Sequence, residues 1–246
     1  MKRGLLTILL ITSFSLALIL AVYAMMSKSV RPYSPKHDIT MKKLFLCSSF
    51  SDVASLFSEF VSTPLRGKTV AFIPTASIHE EYTQYVDDGK AALDSLGLVV
   101  RELEITQCGV REVAQVLEDC DCIYISGGNT FFLMQELRRT GTDKLIVEQV
   151  EKGKLYIGES AGAMIFSPNI EYAKKMDDHL SQTPNFNDFR GLGVVDFYPL
   201  PHFNSFPFEE ATRQVMQEYS RLSLKPIGNL QAIVVARDSI SIHGKE

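Results

Sequence analysis

From residue 43 onward, short apolar runs alternate with segments whose apolar residues recur at helical spacing. Lys43–Cys47, Thr69–Ile73, Leu98–Leu103, Cys122–Ile125 and Leu155–Ile157 are compact and rich in branched or aromatic residues, which predicts strands. Between them, Ser51–Phe60 carries Val53, Leu56, Phe57 and Phe60 on one helical face. Further helices are predicted over Glu80–Leu96, Val110–Leu117, Phe131–Arg139 and Lys144–Lys152, the last two split by Thr140-Gly141-Thr142. Strict alternation with short connections predicts an α/β fold, a mostly parallel sheet covered by helices on both faces. After Pro168 the pattern loosens into a polar segment from Lys174 to Arg190, long enough to carry function or to act as a lid. Strand-like stretches return at Leu192–Phe197, Ala232–Ala236 and Ser239–His243, with a helix over Glu209–Tyr219.

The amino terminus follows a different pattern. Lys2-Arg3 precede an uncharged apolar run from Leu5 to Met26, long enough to span a bilayer as a helix. The expectation is a membrane anchor or signal segment over 1–26, a Ser-, Pro- and Lys-containing tether over 27–40, and a folded domain over 41–246. Positive charge before the run predicts a domain outside the cytoplasm, attached to the membrane through residues 5–26. Val22-Tyr23-Ala24 also fits a signal-peptidase site, and translation from Met41 would give a cytoplasmic domain.

Composition narrows the classes. Of 246 residues, 46% are apolar and 22% charged, enough to bury a core. A net charge of −4 with scattered Lys and Arg gives no nucleic-acid footprint. Cys120-Asp121-Cys122 does not have zinc-knuckle spacing, and no His pair completes a site, so neither metal nor cofactor is expected.

Sheets of this class bind ligands beyond the carboxyl ends of their strands. Pro74–Ser77, Ser126–Thr130, Gly158–Gly162 and Leu200–Asn204 all fall at such ends. Gly158-Glu159-Ser160-Ala161-Gly162 has the Gly-x-Ser-x-Gly build of a nucleophile elbow; a βα turn in which Ser160 caps a helix is the alternative. A serine hydroxyl needs a base. Of five histidines, His202 follows a strand-like stretch and a Pro-Leu-Pro turn at the sheet edge, which favours it. Oxyanion donors are available from the amide of Ala161 and from Gly127-Gly128, with Asn129 as an added polar group. The same Gly-Gly-Asn-Thr could be a plain turn capping the next helix, or a phosphate turn without the Walker lysine.

Ser126–Leu133, Gly158–Ala163, Ser167–Tyr172 and Leu200–Asn204 together resemble the aspartyl dipeptidase (peptidase E) and cyanophycinase family, peptidase family S51. The resemblance runs from about Met41 to the C-terminus. It implies a flavodoxin-like fold related to class I glutamine amidotransferases, with serine in place of their cysteine. It also implies Ser160 as nucleophile, His202 as base, Gly127, Gly128 and Ala161 around the oxyanion, and short, Asp-containing peptides as substrates. The third member is open. Some relatives place a glutamate near a C-terminal Pro-Ile-x-Asn stretch, where this chain reads Pro226-Ile227-Gly228-Asn229-Leu230-Gln231. An acidic position after the elbow matches Asp178 best and Asp177 next. A catalytically impaired relative that still binds peptides, and a phosphate-binding module, are the competing readings.

Overall fold

The computed structural model describes residues 42–237 and 239–245. Its centre is a seven-stranded sheet. Five strands are parallel: β1 (Lys43–Cys47), β2 (Thr69–Ile73), β3 (Val99–Glu102), β4 (Cys122–Ile125) and β5 (Leu155–Glu159). A short parallel pair stands apart from the sheet, β6 (Tyr198–Leu200) with β7 (Leu224–Pro226). β8 (Gln231–Ala236) and β9 (Ser239–Gly244) extend one edge antiparallel, giving the order β3-β2-β4-β5-β1-β8-β9.

The pleat sorts each strand's side chains into two cores. Phe45, Cys47, Val70, Phe72, Tyr124 and Ile157 pack under α1 (Phe50–Phe60) and α2 (Gln84–Ser95). Leu44, Leu46, Ala71, Ile73, Ile123, Ile125 and Tyr156 face α3 (Val110–Asp119), α4 (Thr130–Thr140) and α5 (Thr142–Glu151). A strand buried on both faces has no polar side to show, which is why β1, β2 and β4 read as unbroken apolar runs. The mostly parallel, doubly covered sheet is the architecture that the alternation predicts.

Two expectations are corrected. The stretch Leu192–Phe197 is irregular; its amides bond back to Ile165, Phe166 and Ser167, and the strand begins only at Tyr198. The transmembrane helix does not stand as part of the fold. Among the described residues no helix is long and apolar enough to cross a membrane. The longest, α2, has 12 residues, about 18 Å at about 1.5 Å per residue, against a hydrocarbon core of about 30 Å. Residues 1–26, where the anchor was expected, lie outside the described residues. Membrane attachment through residues 5–26 and placement of the domain outside the cytoplasm rested on that helix, and both are withdrawn.

Candidate active site

β5 runs through the middle of the sheet and ends at Glu159, so the chain must turn sharply to enter the next helix, α6 (Ala161–Met164). Ser160 takes that turn at φ 48, ψ −107, a conformation that costs a non-glycine residue of order 1–3 kcal/mol. The main chain holds it there. The Ser160 amide donates to the Cys47 carbonyl at 2.9 Å, and the amides of Ala163 and Met164 donate to the Ser160 carbonyl at 2.9 and 3.0 Å. Close packing dictates the flanking glycines: a Cβ on Gly162 would stand 2.3 Å from the Ile125 carbonyl oxygen, and one on Gly158 would stand 2.6 Å from that of Gly162.

His202 arrives from the turn after β6, also with positive φ, at 58°. Its amide donates to Ser48 Oγ at 2.9 Å, and the same hydroxyl lies 3.1 Å from the carbonyls of Ile227 and Gly228. The ring stacks on Phe208 with centroids 4.9 Å apart. Nε2 then lies 3.0 Å from Ser160 Oγ, and Nδ1 lies 2.9 Å from Asn229 Oδ1. A side-chain amide oxygen only accepts, so Nδ1 carries the proton and Nε2 is left to accept from the serine hydroxyl. Burial lowers the imidazole pKa below its ordinary 6.5, opposed by the Asn229 hydrogen bond. The ring is therefore neutral at pH 7.

The third position is occupied by a residue that the sequence reading passed over. Asn229 contacts the histidine; Asp178 does not. Asp178 is exposed, and its Oδ1 accepts from the amides of Leu180 and Ser181 within its own turn. Gln231 is spent on the main chain: its Oε1 accepts from the Gly228 amide at 2.9 Å while its own amide donates to the Gly228 carbonyl. That reciprocal pair closes the turn presenting Asn229. The available clue was Asn229 itself, inside the Pro-Ile-Gly-Asn stretch and two residues before the position that drew attention.

The Gly-Gly turn stands against the elbow. A Cβ on Gly127 would lie 3.3 Å from Ser160 Cβ, and Gly128, at φ +128, would drive one to 2.3 Å from Ala76. The buried Glu159 carboxylate beneath this turn accepts from the Phe50 amide and the Tyr124 hydroxyl, each at 2.8 Å. Even with these donors, burial pushes the Glu159 carboxyl up to about 7. Asn129 acts as a cap rather than a polar hand for a ligand. Its Oδ1 accepts from Phe131 and Phe132 at 3.1 and 3.0 Å, and its Nδ2 donates to the Asp178 carbonyl at 2.8 Å. Asp177 Oδ2 accepts from the Thr130 amide at 2.9 Å. The start of α4 is thus already neutralised by a carboxylate, which leaves a phosphate little to bind. Among the described residues no cluster of His, Cys, Asp and Glu could hold a metal ion.

A strained serine beyond the carboxyl end of a parallel strand, with an imidazole in contact, defines an α/β protein of the elbow type. Comparison with known proteins narrows this further. The model of peptidase family S51 matches residues 44–243, and the chain belongs to that family. It is 54% identical to an uncharacterised peptidase of Listeria monocytogenes over 79% of this chain and 95% of the other. Peptidase E of Salmonella gallinarum is 34% identical over 60% of each chain. A crystal structure of a peptidase E-like protein from Listeria monocytogenes superposes with a TM-score of 0.79 at 50% identity, covering 84% of this chain and all of that one. The relatives and the family make the chain a peptidase.

Proposed function

We propose that this peptidase is of the serine type, acting on short peptides through an acyl-enzyme on Ser160 with His202 as general base. The observation that carries the reading is the 3.0 Å contact between Ser160 Oγ and His202 Nε2 on a backbone that packing forces into the elbow. The Ser160 hydroxyl attacks the peptide carbonyl as its proton passes to Nε2. The oxyanion that forms is received by the amide of Ala161 and by the Gly127-Gly128 turn, which stands against Ser160. Collapse expels the amine, which takes the proton from His202, and water attacks the ester by the same route in reverse.

Asn229 fixes the ring and its tautomer. Being neutral, it does not stabilise the imidazolium that develops, so the base works without the electrostatic help an acid would give. That observation favours one further reading, a relative that binds peptides and turns them over slowly. Asp-containing peptides are the substrates that family resemblance implies.

The test has two parts. A fluorophosphonate probe is expected to label the full-length protein at Ser160, with labelling absent in Ser160→Ala. Digestion of a dipeptide library, followed by mass spectrometry, then reports turnover. Labelling that survives Ser160→Ala refutes the nucleophile assignment; labelling without any hydrolysis supports the slow binder.

A further inference from the structure

Ser160 and His202 are carried by different sheets. Ser160 follows β5 in the seven-stranded sheet, whereas His202 follows β6, which pairs with β7 apart from it. A 3.0 Å contact between side chains borne on two sheets needs a tie between those sheets. The segment Cys47–Phe50, where β1 gives way to α1, supplies one.

That segment is fixed to the elbow on both sides of Ser48. Cys47 lies opposite Glu159 in the sheet, and its carbonyl accepts from the Ser160 amide at 2.9 Å. The Phe50 amide donates to Glu159 Oε1 at 2.8 Å. Between these anchors Ser48 is 1% exposed, and its hydroxyl is spent on the base. Oγ accepts from the His202 amide at 2.9 Å, and its proton is shared between the carbonyls of Ile227 and Gly228, each 3.1 Å away. One hydroxyl therefore grips both the His202 turn and the turn that presents Asn229. Those two turns are also joined to each other, by the Phe203 amide to the Ile227 carbonyl and the Ile227 amide to the Leu200 carbonyl, each at 3.0 Å. Ser48 joins the pair of them to the nucleophile.

The grip falls on a backbone that needs it. His202 has φ 58, a left-handed conformation that a non-glycine residue keeps only when its surroundings over-determine it. Burial and three partners leave the Ser48 hydroxyl nothing to offer a substrate. Ser49 is the contrast: it is partly exposed, makes no cap bond to α1, and its Oγ lies 3.4 Å from that of Ser51.

We propose that Ser48 is a positioning residue of the hydrolysis, its hydroxyl setting where His202 Nε2 meets Ser160 Oγ and where Nδ1 meets Asn229. This rests on the Ser160–His202 reading, because positioning has a kinetic meaning only where that pair does the chemistry.

The experiment compares full-length wild type with Ser48→Ala, Ser48→Cys, Ser49→Ala and Val150→Ala. Val150 is buried in α5 just before β5 begins, away from Ser160, and serves as a packing control. Three quantities are read: the rate of fluorophosphonate labelling, kcat and KM on a peptide the wild type cleaves, and the NMR signal of the His202 Nδ1 proton. Absence of that signal from His202→Ala assigns it. A misplacement of about 1 Å costs about 100-fold in rate, so Ser48→Ala should slow labelling and lower kcat by about 30- to 100-fold. KM should change less than about twofold, and the Nδ1 signal should weaken or shift. Ser48→Cys, which keeps the shape but is a weak donor and acceptor, should lose as much. Ser49→Ala should match the wild type, and Val150→Ala should lower the thermal midpoint with kcat unmoved. Labelling within about threefold of wild type in Ser48→Ala or Ser48→Cys, with the Nδ1 signal unchanged, overturns the proposal. An equal rate loss in Val150→Ala also overturns it. A wild type that no fluorophosphonate labels and that cleaves no peptide sinks the serine reading instead, and the Nδ1 signal then still decides whether Ser48 holds the ring.

Discussion

Two sides of one cleft are built by different means. Ser160 is held by main chain: the end of a central strand, amide bonds to Cys47, Ala163 and Met164, and glycines whose Cβ atoms would strike carbonyl oxygens. The histidine's side is held by side chains: Ser48 Oγ accepts from the His202 amide, Phe208 stacks on the ring, and Asn229 holds Nδ1 from a turn closed by Gln231. The serine's side therefore changes only if the fold changes. The histidine's side can be rewritten one residue at a time, so the base can be tuned without disturbing the elbow.

Substitutions can break that comparison or sharpen it. The largest effect is expected at the elbow: Ser160→Ala or His202→Ala should lower kcat by roughly 10⁴-fold or more, measured on any peptide the wild type cleaves. Gly128→Ala comes next. It forces a side chain into a positive-φ position and against Ala76, and should cost about 3 kcal/mol, read as a lowered thermal midpoint. If Gly128→Ala leaves the midpoint unmoved, the claim that main-chain packing fixes this side is wrong.

Asn229→Asp tests the histidine side. His202 sits below its ordinary 6.5, so activity should fall on acidification only below about that pH. A carboxylate at 229 favours imidazolium, which should move that acid limb to higher pH and raise kcat by about tenfold above it. The smallest effect is expected for Glu159→Gln. The Glu159 carboxyl, pushed to about 7 chiefly by burial, should add a shallow step near that pH to the kcat profile. The variant should lose the step while changing kcat less than about threefold, as seen in a pH series from 5 to 9.

Much of the fold could be read along the chain because local rules and tertiary packing agree there. Thr69–Ile73 and Cys122–Ile125 are strands over the same residues that their apolar runs predict, since burial on both faces leaves no other pattern. The helix expected from Glu80 begins only at Gln84, because residues 75–83 first form a 3-10 turn and a loop. Leu192–Phe197 carries a strand's residues but finds no strand partner and bonds to the segment after α6 instead.

Gly158–Gly162, Gly127-Gly128 and His202 were recognisable in sequence because each sits at a strand end with residue types that permit few other roles. Pairing was a different matter. Whether Asn229 or Gln231 meets the imidazole depends on how the turn after β7 closes, and here Gln231 is held by Gly228 while Asn229 is presented to the ring. Periodicity and motif spacing are set by neighbours a few residues away, so the sequence alone determined the sheet and the elbow that carries Ser160. The contacts of His202 with Ser160 and Asn229 join residues tens of positions apart through loops, and only the tertiary structure decided them.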